Sequence, residues 1–274
     1  AGVAPGMKWP VPPDEAGGGA WCESGGTVSN CVIRDNRGMT AGGGVQGGVI
    51  RDSLIFGNTG GAFGGGAFFA DLAGCQVTNN LASMGGALYY CAARRCSILR
   101  NRAEHQGGGT VGGYLENCIL AFNTALSINS DGGGAALSSA INNCTIVGNT
   151  ALLGGGVSMC TLCNSIVYHN DAAAGPPNSA YACTFYNCCT WPMPDSGSGN
   201  ITADPKFVDW QNGDFHLLPD SPCIDAGLNQ AWMTDAVGLD GRPRIVNGTV
   251  DIGAYEWAPA LVHYADANNA NPVH

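Results

Sequence analysis

The sequence predicts an all-β fold: a right-handed, single-stranded parallel β-helix of seven or more coils of about 22 residues, with an irregular C-terminal capping segment. Three observations predict it. A glycine cluster recurs at positions 17–19, 42–44, 64–66, 85–86, 107–109, 132–134 and 154–156, in steps of 21 to 25 residues. In phase with it runs a strand-sized motif ending in asparagine, seven copies from Cys31–Asn36 to Ser165–Asn170. Between them almost nothing has the period of a helix, which excludes helical and leucine-rich solenoids.

The chain divides into an N-terminal arm (1–16), the repeats (17–190), a C-terminal segment (191–257) and a tail or inter-module linker (258–274). In each copy of the motif the first and third positions are small or apolar, as at Cys31 and Ile33 or Cys144 and Ile146. Period-two alternation turns both inward. The second and fourth positions then face outward, and several are apolar: Val32, Leu54, Phe56, Leu99, Ile119, Val147, Ile166 and Tyr168. Such a face is expected to be covered, either by residues 190–257 or by another chain. A second short strand follows the glycines, as in Ala67-Phe68-Phe69 and Ala87-Leu88-Tyr89.

The motif-ending residues Asn36, Asn58, Asn80, Asn101, Asn123, Asn149 and Asn170 fall at one corner of successive coils. Asparagine accepts a left-handed or bridge backbone there, and its amide can donate to one coil while accepting from another. A structural ladder is expected, each bond contributing about 1 kcal/mol. Cys31, Cys75, Cys96, Cys118 and Cys144 form a second column, which Ser53 and Ser165 interrupt. Small size is the shared property, so these thiols are expected to pack in the core. Of the remaining cysteines, Cys183, Cys188, Cys189 and Cys223 lie where the repeat breaks down and are the candidate disulfide partners.

Thirteen cysteines suit an oxidising compartment. A net charge of −10 disfavours nucleic acid as a partner, and no apolar run is long enough to cross a bilayer. Possible glycosylation sequons stand at Asn143, Asn200 and Asn247. Catalysis by a β-helix needs carboxylates on adjacent coils, yet Glu23, Asp35, Asp52, Asp71, Glu104, Glu116, Asp131 and Asp171 are scattered through the repeats. His105 and His169 are isolated. No catalytic residue, metal site or cofactor is expected. Asp225, Asp235, Asp240, Asp251 and Glu256, with Arg242 and Arg244, are read as a buried ion-pair and turn network, with a calcium or glycan site as the alternative. Trp21, Phe68 and Tyr90 are aromatics that could stack on sugars or fill the solenoid's flank.

Gly85-Gly86-Ala87-Leu88, alternating with Ile-x-x-Asn or Phe-x-x-Asn, resembles the repeats of polymorphic outer-membrane-protein-type β-helices. The stretches 200–209, 213–217, Ser221-Pro222-Cys223-Ile224-Asp225-Ala226-Gly227, 240–244 and Asp251-Ile252-Gly253-Ala254-Tyr255-Glu256 resemble the choice-of-anchor Q domain. The two resemblances together cover roughly residues 17–257. They imply a secreted or surface-displayed bacterial protein and no activity. The repeat opens early, at Gly17, and the tail from Val262 to Pro272 resembles the start of a next module. These features lead to the expectation of a surface-fibre subunit that self-associates head to tail. The alternatives are a monomeric adhesin or glycan-binding passenger and, further off, a polysaccharide lyase.

Overall fold

The computed structural model describes residues 17–23, 25–126 and 132–259. The expected N-terminal arm and the tail from residue 260 lie outside the described residues. The chain winds as a parallel β-solenoid of about eight turns, whose strands form sheets of 15, 8 and 7 members among the described residues. Strands one coil apart are neighbours. In the eight-stranded sheet Ile33 pairs with Ile55, followed by Val77, Ile98, Leu120, Ile146 and Val167. A facing column in the 15-stranded sheet runs Ile50, Leu72, Ala93, Leu115, Ile141, Leu162 and Phe185. The two columns make one buried core, in which each fully buried leucine or isoleucine contributes roughly 1.5–3 kcal/mol.

The glycine clusters do two jobs, seen at Gly64 and Gly65. Gly64 turns the chain with φ of 59°, the left-handed region where other residues are strained. A Cβ on Gly65 would sit 2.3 Å from the carbonyl oxygen of Gly86 on the next coil. Only glycine lets the coils stack this closely at that corner.

The asparagines form a continuous ladder through the interior. Each side-chain Nδ2 donates to the Oδ1 of the next coil's asparagine, at 2.9–3.0 Å from Asn36 through Asn149. That Oδ1 also accepts the preceding asparagine's backbone N–H, as from Asn101 to Asn123 at 2.9 Å. Two details differ from the sequence expectation. The left-handed residue is the one before each asparagine: Asp35, Gly57, Asn79, Arg100, Phe122, Gly148 and His169. That preceding turn swings the amide inward, so asparagine serves here for its hydrogen bonds and not for its backbone tolerance. The ladder also has an unforeseen further rung, with Asn170 Nδ2 donating to Asn178 at 2.9 Å and Asn178 Nδ2 donating to the Trp191 carbonyl at 2.6 Å.

The cysteine column requires more than small size. Cys96 N–H donates to Cys118 Sγ, Cys118 N–H to Cys144 Sγ, Cys144 N–H to Ser165 Oγ and Ser165 N–H to Cys188 Sγ, at 3.1–3.4 Å. Each side chain supplies an acceptor for a backbone donor that the strand ladder leaves over, which alanine would not do. Cys31 is the exception to the expected burial. It stands on the first coil of the column and is exposed, its own N–H donating to Ser53 Oγ.

Coil-like pairing continues past residue 190, with Gly197 opposite Phe185 and Ile201 bridging Cys189. Beyond it, strands Phe207–Asp209 and Asp214–Leu217 form an antiparallel hairpin around the turn Trp210–Asn212. This segment lies along the solenoid's flank. Phe207, Phe215, Leu217, Ile252 and Ala254 pack on Ile119, Ala121, Val147 and Ile166, the outward face of the eight-stranded sheet. Corner asparagines hold it: Asn164 accepts from the Leu228 N–H at 2.8 Å and donates to the Leu228 carbonyl at 2.9 Å. Of the two coverings foreseen for the apolar face, the intramolecular one occupies its C-terminal half. Val32, on the first coil, remains 64% exposed.

Candidate surface groove

The outward face of the 15-stranded sheet and the C-terminal segment enclose a groove of about 450 Å³. Its floor carries Arg51, Asp71, Arg94, Arg95 and Glu116 from four successive coils, and Trp232, Asp235 and Val237 wall it. Strand alternation places Arg51 and Arg94 in one outward column with Ala73 between them. The Arg94 guanidinium stacks over the Tyr114 ring at 5.7 Å and approaches Glu116 at 3.7 Å. Tyr114 donates to the same carboxylate at 2.7 Å. Glu116 is therefore engaged, and burial beside it pushes the Tyr114 hydroxyl up to about 12. Arg51 and Arg95 have no ion-pair partner among the described residues. Asn117 is only 2% exposed and lines the groove. Its Nδ2 donates weakly to the Val237 carbonyl at 3.4 Å, while its Oδ1 is buried without a partner.

An aromatic ridge borders this groove on the same coils. Phe69 and Tyr90 each take a φ of 49° at the corner that splits the 15-stranded sheet, which turns their rings outward. They stack at 5.5 Å with planes 11° apart, and are 49% and 47% exposed. Phe68 and Tyr89 stack behind them at 5.7 Å. Only Ala70 separates Phe69 of the ridge from Asp71 of the groove, so the two adjoin on the same coil.

The residues singled out from the sequence are distributed differently. The ladder asparagines from Asn58 to Asn170 and Cys75, Cys96, Cys118 and Cys144 are interior, where no ligand reaches them, and Asn36 at the first rung is half-buried. Burial pushes the Cys91, Cys160 and Cys188 thiols up to about 12, so these groups stay protonated. All thirteen cysteines stand as free thiols, including Cys183, Cys188, Cys189 and Cys223. Cys183 and Cys188 are taken up by other bonds, their sulfurs accepting the N–H groups of Cys160 and Ser165.

The sequons also separate. Asn143 is fully buried, which excludes a glycan in the folded protein. The Asn200 amide is engaged with Phe185 and Cys188, whereas Asn247 is exposed. Expression in a glycosylating host followed by glycopeptide mass spectrometry is expected to find glycan on Asn247 and none on Asn143.

The C-terminal acids split into three places. Asp251 and Glu256 are buried with Arg244, Asp240 pairs with Arg242 at 3.3 Å, and Asp235 belongs to the groove. Among the described residues no three His, Cys, Asp or Glu come together as a metal-binding group. His169 stacks on Trp210 at 4.7 Å, and burial there lowers its pKa. The groove itself was missed by reading the repeat only as far as the glycine strand. Its trace in the sequence is that Arg51-Asp52 and Arg94-Arg95 occupy the same phase two coils apart.

No family model matches the chain, and no curated protein matches it. Among solved structures it is similar to the crystal structure of pectate lyase Pel9A, with a TM-score of 0.46 and 13% identity. The match covers 84% of this chain and 65% of that one, so the chain spans less than two thirds of that structure's length. A likeness of this extent says nothing about what the chain binds or does. No helix among the described residues is long and apolar enough to cross a membrane.

Proposed function

We propose that this chain is an extracellular, cell-surface β-solenoid that binds polysaccharide without cleaving it. The observation that carries the reading is the joined surface of the Phe69–Tyr90 ridge and the arginine-floored groove. Flat, exposed rings suit the apolar faces of sugar units. Unpaired guanidinium groups and a buried amide oxygen suit carboxylates and hydroxyls, the few convergent polar groups that fix a ligand's orientation. The parallel stack gives the surface a rigid base, since every coil is zipped to its neighbours. The engagement of Glu116 by Arg94 and Tyr114 supports binding over acid–base chemistry.

Affinity electrophoresis of the full chain through gels containing pectin, alginate or xylan tests this. Retardation by at least one acidic polysaccharide is expected, weakened about tenfold or more in Arg51→Ala and Tyr90→Ala at unchanged melting temperature, since each removes one surface anchor. No retardation by any of the three would overturn the binding reading. Release of unsaturated uronates from pectin or alginate would replace it with a lyase.

A second reading, a fibre subunit assembling head to tail, is favoured by one observation. The strands Ala20–Trp21, Val32–Arg34 and Arg37–Gly38 end their sheets with one edge unpaired among the described residues, beside exposed Val32 and Met39. Open edges of this kind accept another strand. Electron microscopy of concentrated protein separates the readings, since monodisperse particles would rule the filament out.

A further inference from the structure

Cys188 and Cys189 are consecutive, so they face opposite ways across the last coil. Cys188 points into the solenoid core. Cys189 points outward into the second apolar cluster, where it meets Cys223 of the C-terminal segment. Both are fully buried in that one cluster, and the Cys223 side chain beside it pushes the Cys189 thiol up. The backbone fixes each side of the pair. Cys189 Sγ donates to the Ala203 carbonyl at 3.2 Å, Cys223 N–H donates to Ser221 Oγ at 3.2 Å, and the Cys223 carbonyl accepts from Ile252 at 2.9 Å. The contacts among Cys75, Cys96, Cys118 and Cys144 are of another kind. Those thiols project in parallel from adjacent coils already joined by backbone bonds, a poor approach for a covalent link. Cys189 and Cys223 meet across two layers that only side-chain packing and a few hydrogen bonds hold together.

We propose that Cys189 and Cys223 are joined by a disulfide in the mature protein, one that clasps the C-terminal segment to the flank of the solenoid. The bond forms by exchange with a small-molecule disulfide such as oxidised glutathione. One cysteine thiolate attacks the donor's S–S bond and releases a thiol. The second then attacks the mixed disulfide and releases another. Two protons leave the protein, and its two electrons reduce the donor disulfide to two thiols. Exchange needs a thiolate with access to the donor. Once the segment is docked, Cys189 is covered and its contact with Cys223 and its burial hold it protonated. Closure therefore belongs to the moment of docking, and reduction requires the segment to lift away.

The placement in an oxidising compartment rests on the extracellular reading, but the pairing does not. The full chain is secreted to a bacterial periplasm, alkylated in denaturant without reductant, digested and mapped by mass spectrometry. The expected result is one linked peptide joining Cys189 to Cys223, with the other eleven cysteines alkylated. Refolding in a glutathione redox buffer is expected to give the same link, independent of compartment. A link in refolded protein only would count against the extracellular reading and leave the pairing standing. Thirteen alkylated cysteines in both preparations, or a link to a different cysteine, would overturn the proposal. Cys223→Ser is expected to lower the melting temperature of the oxidised protein by roughly 5–10 °C, from the loss of loop constraint. The mapping needs no variant, so a folding failure of Cys223→Ser leaves the test intact.

Discussion

Asn123→Ala is expected to lower the unfolding free energy by roughly 3–5 kcal/mol, near the upper end of single substitutions. Asn123 is wholly buried at the middle of the ladder. Its Oδ1 accepts both the N–H and the Nδ2 of Asn101, at 2.9 and 3.0 Å, and its Nδ2 donates to the Ile98 carbonyl at 2.9 Å. Alanine removes these three bonds and the Nδ2 bond to Asn149 at 2.9 Å, and orphans the Asn101 N–H and the Ile98 carbonyl in the buried interior. Each orphaned group costs about 1–3 kcal/mol, whereas the deletion of the side chain opens little apolar surface. Asn36→Ala, at the half-buried first rung, is expected to cost about 1 kcal/mol, since water can replace the lost partner. Urea titration of both variants checks this. Equal, sub-kilocalorie shifts would mean that the ladder is incidental to stability.

Arg244→Met is expected to cost roughly 3–5 kcal/mol at pH 8 and distinctly less at pH 5. Arg244 is fully buried in the C-terminal segment, with Nη2 at 3.0 Å from Glu256 and donating to the carbonyls of Asp251 and Gly253. Burial pushes the Glu256 carboxyl up from 4.5 to about 8, and pushes Arg244 down, more than their attraction offsets. The sign for the wild type follows. Below pH 4.5 Glu256 is protonated in both states. Between 4.5 and 8 the unfolded chain ionises while the folded one holds its proton, so stability falls as pH rises through that window. Without Arg244 the ionised form loses the cation it pairs with, and the loss continues to higher pH. Melting curves from pH 5 to 9 for both proteins read this out. A cost for Arg244→Met that is flat across the range would contradict it.

The repeat itself determined most of the architecture. A strand of three residues, a glycine cluster and an asparagine returning about every 22 residues leave one economical solution, because only stacking buries the inward face of so short a unit. The alternation also placed Ile33, Ile55 and their column inside, and the in-phase asparagines in one ladder. The left-handed position was not legible. Asp35, Arg100, Phe122 and His169 share no residue type that announces it, and the geometry is imposed by the coil above and below. The acceptor role of the cysteine column was likewise hidden, since sequence shows the small side chain but not the backbone N–H it satisfies.

The groove and the C-terminal packing were decided by tertiary structure alone. Arg51, Asp71 and Arg94 share the solenoid's outward face by coil stacking, but Trp232 lies up to 181 residues away in sequence, and only the docking of the last segment brings it over them to close the groove. The same docking brings Cys223 to Cys189 and sends Asp235 away from Asp251. A periodic pattern is a local rule repeated, so it is written in every coil. Where an irregular segment settles depends on which outward columns are apolar and which corners offer amides, a match between two surfaces that neither sequence stretch carries by itself.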